Sequence, residues 1–276
     1  MTFIPAIAFG GFAGWTVLKR TQERQTAVLA STVEFKRDED HFRANIGKIN
    51  TAEQLVADRR LLKVALGAFG LDGDINNKFF IRKVLEDGTL DVGALANRLA
   101  DKQYQKMSST FGFGDFAVPA TKISDFPDKI IAAYKTRQFE LAVGTQNDDL
   151  RLALNTTREL SGIATRAGSS EDARWFSVLG NAPLRRVFEK ALALPASLGA
   201  LDLDRQLATF KAKAGVVFGD NSITQFSDPA KVEGLVRRFL LRSESDAFTS
   251  QNSAGSSALQ MLQQSAAAAR ARRTQT

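Results

Sequence analysis

Leu55-Val56-Ala57-Asp58-Arg59-Arg60-Leu61-Leu62-Lys63-Val64-Ala65-Leu66-Gly67-Ala68-Phe69-Gly70-Leu71 places Leu55, Leu62, Leu66 and Phe69 on one side of a helix, each one or two turns from the last. Side chains that share a helical face are neighbours, and an apolar face of this kind needs a core to bury it. Asn50-Thr51-Ala52-Glu53, just upstream, reads as a capping-box start. Gly70 reads as the stop, because glycine takes the left-handed conformation of a helix end without steric cost.

The same punctuation recurs downstream. Asp91 is expected to cap a helix carrying Leu95, Leu99 and Met107, and Asp125, with Pro127 in the first turn, one carrying Ile130, Ile131 and Tyr134. Asp149 opens a helix with Leu150, Leu154 and Leu160 that ends near Gly168, and Ser170 opens another that ends near Gly180. Pro183 leads Leu184, Val187 and Phe188; Asp202 leads Leu203, Leu207 and Phe210; Ser227-Asp228-Pro229 leads Val232, Val236 and Phe239. Alternating β-branched runs are nearly absent, and Ala214 to Phe218 is the one short strand candidate. The fold class is therefore all-α, a helical bundle.

Motifs in matching order suggest that the bundle has two related helical halves. Asp58-x-x-Leu61-x-x-Val64 has a counterpart in Asn181-x-x-Leu184-x-x-Val187, and Gly88-Thr89-Leu90-Asp91 in Gly199-Ala200-Leu201-Asp202. Phe111-Gly112 matches Phe218-Gly219, and Ser124-Asp125 matches Ser227-Asp228. Chance recurrence of capping residues is the competing explanation. The organisation read from this is an apolar arm over residues 1–20, helical halves over 21–145 and 146–243, and a tail over 244–276 with a short helix in it.

The two ends differ in character. Met1 to Leu18 has no charged residue, but Pro5 and three glycines interrupt it. It is too short for a membrane span, which needs about 20 apolar residues. It also lacks the basic opening of a Sec-type signal peptide. Phe3, Ile4, Phe9, Phe12 and Trp15 are its contact candidates, and two readings stay open: an arm packed on the protein's own core, or one that docks on a partner or a second copy. Ser243 to Ser257 reads as a linker. The helix-favouring segment after it offers Leu259, Met261 and Leu262, then Arg270, Arg272 and Arg273, as contacts that order on a partner.

Composition excludes several chemistries. There is no cysteine, hence no disulfide, thiolate ligand or cysteine nucleophile, and the single histidine, His41, sits in the charged run Asp38-Glu39-Asp40-His41-Phe42 as a surface residue. The net charge of +7 lies mostly at the ends: residues 1–24 carry +2 and residues 251–276 carry +3, leaving +2 for the body. That distribution argues against a broad nucleic-acid face. Asp72-Gly73-Asp74-Ile75-Asn76 imitates an EF-hand opening, but Asn77 stands where the loop needs glycine and Lys83 where it needs a bidentate glutamate. Gly10-Gly11-Phe12-Ala13-Gly14 is followed by Trp15 and is no P-loop, and there is no GxSxG elbow. The 20 phenylalanines fall on core spacing and read as packing, not base-stacking platforms. The expectation is a non-enzymatic chain without metal or cofactor.

Four stretches carry a family resemblance: Gly11-Phe12-Ala13-Gly14-Trp15-Thr16-Val17-Leu18, the Leu55–Leu71 run quoted above, Tyr134-Lys135-Thr136-Arg137-Gln138-Phe139-Glu140, and Leu201-Asp202-Leu203-Asp204-Arg205-Gln206-Leu207. From Phe3 to Arg242 the chain resembles the bacterial domain-of-unknown-function family numbered twelve-seventeen. No residue role comes with that resemblance. Members are often encoded among flagellar genes, which implies a part in flagellar assembly, export or structure. The expected partners are thus proteins, flagellar components among them, met in the cytoplasm or after export to the flagellum. A cytoplasmic adaptor or chaperone that binds partners in a groove between the two halves is the alternative.

Overall fold

The computed structural model describes residues 3–249, and every regular element among them is helical. In chain order the helices are α1 (Gly11–Ser31), α2 (Val33–Asn45), α3 (Ala52–Ala57), α4 (Arg59–Phe69), α5 (Lys78–Asp87), α6 (Leu95–Arg98) and α7 (Lys102–Phe111). Then follow α8 (Phe126–Gly144), α9 (Asp148–Ala164), α10 (Glu171–Leu179), α11 (Ala182–Ala191), α12 (Leu203–Phe218) and α13, residues 229–249.

The Leu55–Leu71 run forms the centre of the first half, but as two helices. The Asp58 carboxylate accepts the backbone N–H groups of Arg60 and Leu61 at 2.9 and 3.0 Å. A short acidic side chain that caps its own backbone competes with helix continuation, and the chain breaks there into α3 and α4. Gly70 ends α4 with φ of +74°, and the Leu71 N–H closes back on the Leu66 carbonyl at 3.0 Å. α4 then packs against α8, α2, α3 and α7; α8 packs on α9; and α9 carries α11 and the short turn Thr224–Ser227.

Phenylalanines fill the interior in two ring clusters. Phe111 meets Phe69, Phe113 and Phe126 in the first half. Trp175 meets Phe188 and Phe210, and Phe226 bridges Phe188 and Phe218, in the second. Such buried rings each bring a large apolar area to a core that is otherwise aliphatic, and together these areas offset chain entropy.

Several expectations require correction. Ala214 to Phe218 is the last turn of α12, not a strand: the apolar face begun by Leu207 and Phe210 continues to the buried Ala214, and Gly219 ends it with φ of +78°. The helix expected from Asp91 is two: α6 starts after Ala94, and α7 after Asp101, whose carboxylate takes the Gln103 N–H, while Asp91 turns a loop by accepting from Gly93. Asn147, not Asp149, caps α9. The boundary after residue 20 falls inside α1, and the boundary after 243 falls inside α13, so the linker expected from Ser243 is helical through residue 249. The repeated motifs are helix ends: Asp58 and Asn181 cap α4 and α11, and Gly112 and Gly219 close α7 and α12. Capping chemistry accounts for those two matches, whereas Asp202 caps α12 and its counterpart Asp91 caps no helix.

Candidate functional site

The N-terminal residues form an apolar pole laid antiparallel along α1: Ile4 shares a groove with Leu29 near its end, Ala6 meets Gln25, and Phe9 lies by Gly14 near its start. Residues 3–9 run without regular structure and are clipped down by two glutamines. Gln25 of α1 accepts the Ala6 N–H at 2.7 Å and donates to the Ala6 carbonyl at 3.2 Å, acting as a one-residue strand partner. Gln146, after α8, donates to the Pro5 carbonyl at 2.7 Å. Phe3 packs on the buried Phe139, with ring centres 6.2 Å apart. The Phe9 carbonyl occupies the space a side chain at Gly14 would need, so the Gly10-x-x-x-Gly14 pair serves a close approach within this chain.

The other end of the described chain arrives at the start of α1. α13 runs along α1: Glu233 accepts the Trp15 indole N–H at 3.0 Å and a Lys19 bond at 2.8 Å, and the Arg237 guanidinium lies 5.2 Å from the Phe12 ring centre. The Glu244 carboxylate fills the space beside Gly11, which opens α1 with φ of +61°.

Of the five contact candidates in the arm, Ile4 and Phe9 point outward, 75% and 58% exposed. Phe3 and Phe12 are half-buried, and Trp15, 1% exposed, belongs to the core. Leu259, Met261, Leu262, Arg270, Arg272 and Arg273 lie outside the described residues. Phe248, 67% exposed on α13, was not expected; its place two turns beyond the last core leucine, Leu240, was the available signal. Beside the arm runs an apolar groove of about 340 Å³, lined by Phe3, Ile4, Leu29, Phe35, Leu141 and Ala142. Its polar lining includes Lys63, which donates at 2.8 Å to both Glu34 and the buried Asp38. Burial works to lower the Lys63 pKa, but those two carboxylates outweigh it and hold it above the ordinary lysine value.

A second concavity of about 390 Å³ lies where the halves meet. The first half contributes Gly70, Asp101, Gln103, Arg137 and Glu140, and the second Arg151, Asn155, Asn181 and Pro183. Acids and cations crowd the α8–α9 seam beneath it. Arg158 grips Glu140 with bonds of 2.6 and 2.8 Å and also meets Glu159; Arg137 reaches Glu159 at 2.9 Å. Burial acts to raise the Glu159 pKa, yet Arg158, Lys106 and Arg137 together hold it below its ordinary 4.5. The Arg137 pKa is lowered by burial and by the neighbouring Arg158.

Among the described residues, every carboxylate with a displaced pKa is displaced downward: Glu34, Asp58, Asp115, Glu159, Glu171 and Asp246. A general acid working near neutral pH needs the opposite displacement. His41 bonds Asp58 at 2.7 Å and pairs with Asn45, on the side of α2 that faces α4. The EF-hand-like acids serve the fold: Asp72 accepts from Gln138, and Asp74 from Tyr104. Among the described residues no cluster of His, Asp or Glu is arranged to hold a metal ion, and no helix is long and apolar enough to cross a membrane.

A family model described as "Protein of unknown function (DUF1217)" matches residues 68–232. A crystal structure of a protein from Agrobacterium tumefaciens is similar at 26% identity and a TM-score of 0.71, over 85% of this chain and 93% of that one. No curated protein matches the sequence.

Proposed function

We propose, from the premise that this chain belongs to the DUF1217 family, that it is a non-enzymatic interaction protein of flagellar assembly or export, engaging partner proteins at its N-terminal pole. One observation carries the reading. Ile4 and Phe9 of the arm are large apolar side chains left in solvent, Ile4 on the groove it shares with Leu29 and Phe9 beside the start of α1, and Phe248 is a third on α13, one turn past the Glu244 that meets Gly11. Exposed apolar groups on an arm that borders an apolar groove mark a surface that is covered in use. The flagellar assignment draws on the resemblance to a family often encoded among flagellar genes. Encounter takes place in the cytoplasm or at the flagellum.

The test uses the full-length chain carrying Ile4→Ser, Phe9→Ser and Phe248→Ser together, which leaves the core intact. In pull-downs from motile cells read by mass spectrometry, wild type should enrich flagellar components and the triple variant should lose them. Enrichment of none, or equal enrichment by both, defeats the reading. Truncation to Leu18 is the wrong tool, because it removes the core residues Trp15 and Leu18.

A second reading, a cytoplasmic adaptor or chaperone gripping partners between its halves, is favoured by the cleft that Arg137 of α8 and Asn155 of α9 both line. Under it, Arg151→Ala and Pro183→Ala abolish capture while the pole variant does not.

A further inference from the structure

The cleft between the halves contains a polar group that the fold leaves unsatisfied. Asn155 is 4% exposed, lines the cleft, and its Oδ1 has no hydrogen-bond partner. A buried carbonyl without a donor is costly, so such an atom is either tolerated or completed by something that binds.

Two further features converge on the same space. α7 and α11 both begin at it, through Asp101 and Gln103 on one side and Asn181, Ala182 and Pro183 on the other. Asp101 satisfies the Gln103 N–H and Asn181 the Leu184 N–H. On α11 Pro183 has no N–H and Asn181 takes that of Leu184, so Ala182 carries the first turn's remaining N–H, at a helix end whose partial positive charge favours an anion. Arg137 adds a full charge. Its Nη2 is bound by Gln103 and Glu159, while its Nη1 lies over Gly70, where any side chain would stand within 2.7 Å of it. The acids of the lining are already engaged: Asp72 by Gln138, Glu140 by Arg158, and Asp101 by its own helix.

We propose that this cleft binds a carboxylate with a hydrogen-bond donor beside it, the group shared by a free amino acid and the C-terminus of a peptide. The carboxylate meets Arg137 Nη1 and the Ala182 N–H at the start of α11, and the adjacent N–H donates to Asn155 Oδ1. A volume of about 390 Å³ suits a ligand of that size. The assignment is independent of the apolar pole.

Titration calorimetry of the full chain with glycine, N-acetylglycine, the dipeptide Ala-Ala and glycinamide tests it. The three carboxylates should bind saturably and glycinamide should not; whether glycine or Ala-Ala binds more tightly identifies the source. Asn155→Leu removes the unpartnered oxygen at similar volume, so its thermal midpoint should hold or rise while affinity falls about tenfold or more. Arg137→Lys, which keeps the charge but not the reach of the guanidinium, should weaken the carboxylates alone and serves as the second variant. Absence of saturable binding by every carboxylate, glycinamide binding as well as glycine, or undiminished affinity in both variants overturns the proposal.

Discussion

The α8–α9 seam and the N-terminal pole hold chain segments in place by opposite means. At the seam, charges do the holding: Arg158, Arg137, Glu140 and Glu159 face one another with little access to water. At the pole, an apolar segment lies on the body with Phe3 packed beneath it and two neutral glutamine side chains tying its backbone. A buried ion set is close to neutral in net stability when complete but costly when broken, because the survivor keeps its desolvation penalty. A strap tied by neutral hydrogen bonds loses little with each tie. The seam should therefore respond to substitution steeply and globally, and the pole gently and locally.

Glu140→Ala tests the steep side. It removes both bonds by which Glu140 holds the Arg158 guanidinium and leaves it Glu159 alone, and urea unfolding should show a loss of about 3 kcal/mol. If the loss stays below about 1 kcal/mol, comparable to an exposed pair, the seam is no more than a surface ion network.

Acid probes the same seam less abruptly. Because the folded-state pKa of Glu159 is depressed below 4.5, its stabilising contribution is complete above that value and drains as pH falls through it toward the lower folded value. Urea midpoints of wild type should drop across that window more steeply than those of Glu159→Gln. Parallel curves would show that Glu159 does not couple protonation to folding.

The smallest effect belongs to the pole. Gln25→Ala should cost about 1 kcal/mol or less. Its clearer signature is faster hydrogen exchange at the Ala6 amide with protection in α8 and α9 unchanged. Faster unfolding of the whole chain, or loss of protection in α8, would mean that arm and seam form one cooperative unit.

Much of the fold could be read before any contact was known. Gly70, Gly112 and Gly219 end helices, and Ser170, Asn181 and Asp202 begin them. The errors came where two local signals competed. Asp58 could sit mid-helix or cap, and its side chain settled the matter by bonding Arg60 and Leu61. Val216 and Val217 carry strand propensity, but the helical face begun by Leu207 and Phe210 overrode it. Of the candidate site, Ile4 and Phe9 were readable as an apolar arm. Phe248, the two glutamine clips and the Asn155 carbonyl were not, because each owes its meaning to what it meets or fails to meet.

Helix ends and apolar faces were settled by the sequence alone, because caps and turns act between residues three or four apart. Which apolar side chains became core was decided only in three dimensions. Phe9 and Trp15 sit in the same uncharged run, yet one faces solvent and the other is buried beneath Glu233, 218 residues away. Gln146 likewise finds Pro5 across 141 residues. Burial and long-range pairing are properties of how helices pack together, and no local pattern encodes them.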